Sequence, residues 1–244
     1  LPISEPLLSL RGTMIGIFRS TILTKIAMAL SGLIWIGFSI AHLSGHFLLF
    51  AGQEAYNAYG QGLKDLGPLL WLGRIIFIIS FLLHSFSGIL LLSRNKEARP
   101  VQYKAKKPIV STPQSRMMAL TGILLFTFMV YHLAHFTWGV VHAEYSHLTY
   151  TLSDGREVHD VYTMVIGSYQ NVFVCLAYVL FMLGFGIHLS HAIASVVQTL
   201  GFNHPMYNSL VKKVANGLST IIILGYISIP ASVMLGVLKL TGGH

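Results

Sequence analysis

Charge is what this chain has least of. Only 10% of its 244 residues are Asp, Glu, Lys or Arg, against roughly 25% in ordinary soluble domains, while 54% are hydrophobic. That balance excludes a water-soluble globule of the usual kind. Cysteine is nearly absent too: Cys175 stands alone, so there is no disulfide framework and no thiolate cluster for zinc or an iron–sulfur centre, and it reads as a small buried hydrophobe. Carboxylates number 8 against 16 Lys and Arg, a net charge of +8. This excess does not indicate a nucleic-acid partner, because the basic residues are grouped beside apolar runs without interleaved aromatics. Orientation in a membrane accounts for them.

Long apolar runs fill the chain instead. Five reach the roughly 20 residues that a spanning helix requires, at 24–51, 69–93, 117–141, 162–197 and 214–238. Polar, Gly or Pro punctuation such as Gly67-Pro68 and His204-Pro205 separates them. The expected fold is an all-α integral membrane bundle of five transmembrane helices, a single membrane domain over 1–244. Residues 1–23, with Arg11 and Arg19 among apolar side chains, are expected to lie as a short helix on the membrane surface. No apolar run with a small-residue cleavage site precedes the first span, so no cleaved signal peptide is expected. The fourth run is long enough to tilt or to project from the bilayer. Residues 147–159 alternate around Asp154-Gly155 and form either a small hairpin or a plain surface loop. No sequence repeat is evident.

With the amino terminus inside, Arg11, Arg19, Lys25, Arg94, Lys96, Arg99, Lys104, Lys106, Lys107, Arg116, Lys212 and Lys213 all fall on the inner side. Only Lys64, Arg74, Arg156 and Lys239 fall outside. This asymmetry sets the orientation expected, with His244 and the acidic loop bearing Glu144, Asp154, Glu157 and Asp160 on the outside.

Of twelve histidines, four lie one per hydrophobic helix: His42, His84, His132 and His188. An imidazole buried in a bilayer needs a partner. At 1.5 Å per residue, His42 lies about 25 Å from Lys25 and His132 about 24 Å from Arg116, whereas His84 lies about 15 Å from Arg94 and His188 at a similar depth. Depth therefore pairs His42 with His132 in the outer half and His84 with His188 nearer the inner side. Two facing pairs would make two bis-histidine haem sites; the alternative for each is a hydrogen-bonded ring joining two helices. Gly45, Gly88 and Gly184 fall one turn from a ligand candidate, where they leave room either for a flat macrocycle or for a neighbouring helix. His46, His135 and His191 stand one turn further on. They contact a cofactor or quinone, or are satisfied at helix interfaces. His142, His147, His159, His204 and His244 read as solvated loop or helix-end residues.

The motifs Lys25-Ile-Ala-Met-Ala-Leu-Ser-Gly32, His42-Leu-Ser-Gly45, Phe50-Ala-Gly52 and Asn57-Ala-Tyr59 occur in that order. With Leu83-His84, Gly122 ten residues before His132, and Ile187-His188, the set resembles the dihaem cytochrome b membrane-anchor subunit of succinate:quinone oxidoreductases, in the class with one five-helix anchor. The resemblance implies two haem b, held by His42 and His132 on the outside and by His84 and His188 on the inside. It further implies a flavoprotein and an iron–sulfur subunit docked on the inner face, a bacterial cytoplasmic membrane, and exchange of electrons with a membrane quinone, expected to be menaquinone. The whole complex is one that can oligomerise, and the succinate site lies on another subunit. Quinone is expected beside the outer haem, where the polar segment supplies Gln53, Glu54, Asn57 and Tyr59. Quinol-driven fumarate reduction would use the same parts in reverse. Gly186 stands where some fumarate-reducing relatives carry a glutamate for transmembrane proton movement, so a route of that kind is not expected.

Two rivals are weaker. A di-iron membrane hydroxylase expects dense HxxxH and HxxHH clusters, and His42 to His46 is the only HxxxH. A histidine-using transporter expects broken helices and buried carboxylates, which the spans lack.

Overall fold

The computed structural model describes residues 19–98 and 113–240. The surface segment before Arg19, together with Arg11, Arg99, Lys104, Lys106, Lys107 and His244, lies outside the described residues. Among the described residues, five helices are long and apolar enough to cross a membrane, the first, third, fourth, sixth and seventh of the seven described.

Helix α1 (Thr21–His46) starts at Ser20, whose hydroxyl accepts from the Leu23 amide, and runs into a tight turn at Phe47–Ala51. The short helix α2 (Gln53–Asp65) follows, where the sequence had read only a polar outer segment. Gly67, at φ +53°, turns the chain into Pro68, the first residue of α3 (Pro68–Glu97). Helix α4 (Pro113–His132) continues through a single wider turn at Leu133–Thr137, closed by the Trp138 amide donating to the Leu133 carbonyl at 2.8 Å. Residues 147–159 do form a hairpin, with Thr149–Thr151 (β1) antiparallel to Glu157–His159 (β2) and Gly155 at φ +86° in its turn.

The run at 162–197 is two helices, not one long tilted span. α5 (Val161–Gln170) and α6 (Val172–Thr199) divide at Asn171. Its side chain accepts from the Phe173 and Val174 amides, so an amide capping residue interrupts an otherwise continuous apolar pattern. Helix α7 (Pro205–Met234) begins at Pro205 behind the His204 cap, nine residues earlier than hydropathy placed it, and therefore carries Lys212 and Lys213 within its first turns.

Helix α1 packs along α3 and α6, α4 packs along α6, and α7 covers α6 and part of α1, while α3 and α4 only brush each other. The first four spans thus form a square in the order α3, α1, α6, α4. Its diagonals, α1 with α4 and α3 with α6, make at most incidental backbone contact. Small residues permit the close crossings: a Cβ on Gly184 would run into Leu124, one on Gly186 into Ile223, and one on Gly225 into Leu43. Serine hydroxyls fold back onto their own helix, as Ser31, Ser39 and Ser44 do onto Ala27, Trp35 and Ile40, which satisfies these three donors within the span. The outer faces of α3 and α4 expose Leu72, Ile75, Ile79, Leu82, Leu120 and Ile123, as a lipid-facing surface does.

A large part of the buried apolar core lies at one end. There Tyr56 of α2 and Tyr162, Val165, Ile166 and Tyr169 of α5 pack with Leu49, Tyr178 and Leu238; α2, the hairpin and α5 form a cap. The basic residues Lys25, Arg94, Lys96, Arg116, Lys212 and Lys213 belong to the opposite helix ends, where the Arg94 guanidinium donates to the Thr24 hydroxyl.

Candidate functional site

The four helical histidines meet in two pairs across the diagonals of the square. His84 of α3 faces His188 of α6 with ring centroids 6.2 Å apart and planes at 63°. His42 of α1 faces His132 of α4 at 5.9 Å and 87°. Two imidazoles bound through one nitrogen each to opposite sides of a single metal stand about 6 Å apart, given about 2 Å per metal–nitrogen bond and about 1 Å from nitrogen to ring centre. Both pairs have that spacing.

The protons of the inner pair are fixed by their partners. His84 Nδ1 lies 3.1 Å from the Met28 carbonyl, which only accepts, so Nδ1 carries the hydrogen and Nε2 keeps its lone pair. His188 Nδ1 lies 3.1 Å from Thr121 Oγ1. The Thr121 hydroxyl already donates to the Met117 carbonyl at 2.9 Å, so toward His188 it accepts, and the same tautomer results. Both rings present a free Nε2 with the other nitrogen anchored, which is how proteins orient metal-binding histidines. Gly32 makes room for this: a Cβ there would stand 3.2 Å from His84 Cε1.

The outer pair is anchored differently. His132 Nδ1 lies 3.5 Å from the Tyr178 hydroxyl, which is 3.0 Å from His135 Nδ1. His42 Nε2 lies 3.0 Å from His46 Nε2, and His46 Nδ1 lies 2.8 Å from the Tyr56 hydroxyl. Phe38 stacks on the His42 ring at 5.1 Å. His46 and His135 are therefore hydrogen-bonded neighbours of the outer pair. His191 is half-buried on α6 beside the inner pair.

Among the glycines read as clearance, only Gly88 faces open space. Gly184 lies against Leu124, and Gly45 lies against the Tyr59 ring, whose Cζ would be 2.7 Å from an added Cβ. Cys175 is buried and unpaired.

Of the residues read as facing quinone, three spend their polar groups on the cap. Gln53 Nε2 donates to Asp160 at 2.8 Å, and the fully buried Asn57 donates to the same carboxylate at 2.9 Å while accepting from the Tyr162 amide at 2.9 Å. Asp160 also caps α5 by accepting from the Thr163 amide. Glu54 accepts from the Ser153 amide at 2.9 Å and hydroxyl at 2.7 Å, and these bonds hold its carboxyl below the ordinary carboxylate range. Tyr59 lies on α1 at Gly45, one residue before His46.

Sequence reasoning missed Met28, Thr121 and Tyr178 as partners of the paired rings, and Tyr56 as the partner of His46. Backbone carbonyls carry no sequence signal, and a tyrosine in an apolar run reads as core. Among the described residues, no three His, Cys, Asp or Glu side chains gather as a metal-holding group; the histidines meet as pairs. No protein-family model matches this chain, and neither a curated protein nor a solved structure matches it.

Proposed function

We propose that this chain is the membrane anchor and dihaem electron-transfer subunit of a succinate:quinone oxidoreductase, passing electrons between an iron–sulfur subunit and a membrane quinone. The observation that carries the proposal is the pair of facing imidazoles on each diagonal, at 6.2 Å and 5.9 Å, with both inner rings held in the tautomer that leaves Nε2 free. Paired rings suit a bis-histidine porphyrin, whereas a di-iron centre needs clustered histidines and carboxylates.

His84 and His188 would hold the inner haem b, and His42 and His132 the outer one. When bound, the two haems would supply one-electron carriers, held by these four imidazoles. The chain's own residues do the rest. The Met28 carbonyl and the Thr121 hydroxyl orient the inner rings and strengthen them as donors. Tyr178 does the same for His132. His46, whose Nε2 lies 3.0 Å from the Nε2 of His42, would compete with a metal for that nitrogen. The apolar surroundings of Phe38, Phe128 and Phe136 keep water from the rings.

The basic helix ends at Lys25, Arg94, Lys96, Arg116, Lys212 and Lys213 support an inner location for that end. It is the face on which flavoprotein and iron–sulfur subunits would dock, in a bacterial cytoplasmic membrane, with the acidic cap outside. The direction of turnover, succinate oxidation by menaquinone or fumarate reduction by quinol, uses the same residues. A reduced-minus-oxidised spectrum of the purified protein tests the reading. Two low-spin haem b per chain are expected, and their absence from a folded preparation would overturn it.

A further inference from the structure

Beside the outer pair, His135 is 1% exposed, and its Nε2 has no hydrogen-bond partner among the described residues. A polar atom sealed from water without a partner is uncommon in a folded protein and points to a missing ligand or water. Its other nitrogen, Nδ1, is 3.0 Å from the Tyr178 hydroxyl, which is also 3.5 Å from His132 Nδ1.

The proton order along this string follows from the haem reading, on which the inference rests. If His132 gives its Nε2 lone pair to a metal, its Nδ1 carries hydrogen and donates to the Tyr178 oxygen. Tyr178 has one hydrogen, and His135 Nδ1 is the acceptor that remains for it. His135 then carries its own proton on Nε2, as a buried donor with nothing to receive it.

The surroundings define the acceptor. The Phe136 ring stacks on His135 at 3.9 Å and 15°, the His142 ring stands at 5.1 Å, and Tyr131 stands at 5.6 Å. The neighbours of His135 are thus aromatic, and none of these three rings is a hydrogen-bond partner of its Nε2. Tyr131 also lines a groove of about 330 Å³ between α4 and α6, together with Thr127, Phe173, Val174, Ala177 and Phe181, of which Phe173 is 79% exposed on the lipid side. The groove thus opens on the exposed side of Phe173 and is bounded by Tyr131, whose ring is the one that neighbours His135.

We infer that His135 Nε2–H donates to a carbonyl oxygen of the quinone, which sits against Tyr131 and Phe136 at the level of the outer pair. The quinone headgroup thereby meets α4 and α6, and not the α2 segment whose polar groups the cap consumes.

The test uses the purified, intact complex, a short-tailed naphthoquinone and the same ring system without carbonyls. Infrared difference spectra should show the quinone carbonyl band shifted down on binding to the wild type. His135→Leu should abolish the shift and weaken binding by about tenfold or more. His135→Gln, which keeps an N–H donor, should retain part of both, and the analogue without carbonyls should bind wild type and His135→Leu alike. A haem spectrum recorded on each sample separates the two levels. Two haem b with an unchanged carbonyl band and affinity in His135→Leu overturn the inference and leave the electron-transfer reading standing. A folded wild type without haem b overturns that reading and the proton order together. If His135→Leu does not assemble, the comparison of His135→Gln with wild type decides: an unshifted carbonyl band in both refutes the donor.

Discussion

The His84 ring donates its Nδ1 hydrogen to the Met28 carbonyl across 3.1 Å, and Gly32, one turn beyond Met28 on the same helix, is what lets the ring come so near. A Cβ on Gly32 would sit 3.2 Å from His84 Cε1 and 3.3 Å from Nδ1, so alanine forces a small displacement and valine a larger one. Gly32→Val should therefore lose the inner haem and keep the outer one. Gly37→Val is the control, because an added Cβ there meets nothing within 4 Å. Haem-to-protein stoichiometry from difference spectra reads both, and loss of the inner haem in the control but not in Gly32→Val would contradict the argument.

The diagonal pairing makes a sharper statement. His84→Ala or His188→Ala should each remove the inner haem alone, and His42→Ala or His132→Ala the outer haem alone, with the remaining haem keeping its midpoint potential. Redox titration of the four variants distinguishes this from pairing of neighbours. If His42→Ala and His84→Ala abolish the same haem, the assignment is refuted.

Thr121 acts through His188. Its hydroxyl accepts from the ring's Nδ1–H, which makes the imidazole a better donor to a metal and favours the oxidised state. Thr121→Val removes the acceptor at nearly constant volume. The inner midpoint potential should rise on the order of 40 mV, the equivalent of about 1 kcal/mol for one electron. Thr121→Ser should restore most of the difference, and the outer haem should not move. A purely structural role for Thr121 would lower haem content without this selective shift.

Composition and length made the five spans legible, because nothing else in a soluble chain looks like 69–93. The histidine depths were legible too, since a rise of 1.5 Å per residue needs no tertiary information. Depth had paired His42 with His132 and His84 with His188, but the order of the helices around the square was not legible: it depends on packing through Gly184, Gly186 and Gly225, and glycine spacing alone does not name its neighbour. The related arrangement of the two helix pairs was also hidden, although Ser31-Gly32 precedes His42 and Thr121-Gly122 precedes His132 by the same interval. Only the structure shows that the first glycine serves His84 and that Thr121, beside the second, serves His188. The break at Asn171 was missed because hydropathy averages over a single capping residue. The cap bonds of Gln53, Glu54 and Asn57 were not legible, because polar residues near a membrane surface look the same whether they bind a ligand or cap a helix.

The cap should respond to acid through Glu54. Its carboxylate accepts two hydrogen bonds from Ser153 and thereby ties α2 to the hairpin, with a folded pKa below the ordinary value of 4.5. A depressed carboxylate contributes stability that is fully present above the unfolded value and is lost as pH falls through the folded one. The tie should therefore hold throughout the neutral range and loosen only below about pH 4.5. Glu54→Gln, which keeps one acceptor but cannot titrate, should show weaker protection of the Ser153 amide at neutral pH and no further loss on acidification. Hydrogen exchange at Ser153, measured across that range in both proteins, checks the sign directly. Protection that grows as the pH is lowered would mean that the carboxyl binds Ser153 in its protonated form, the reverse of what these bonds require.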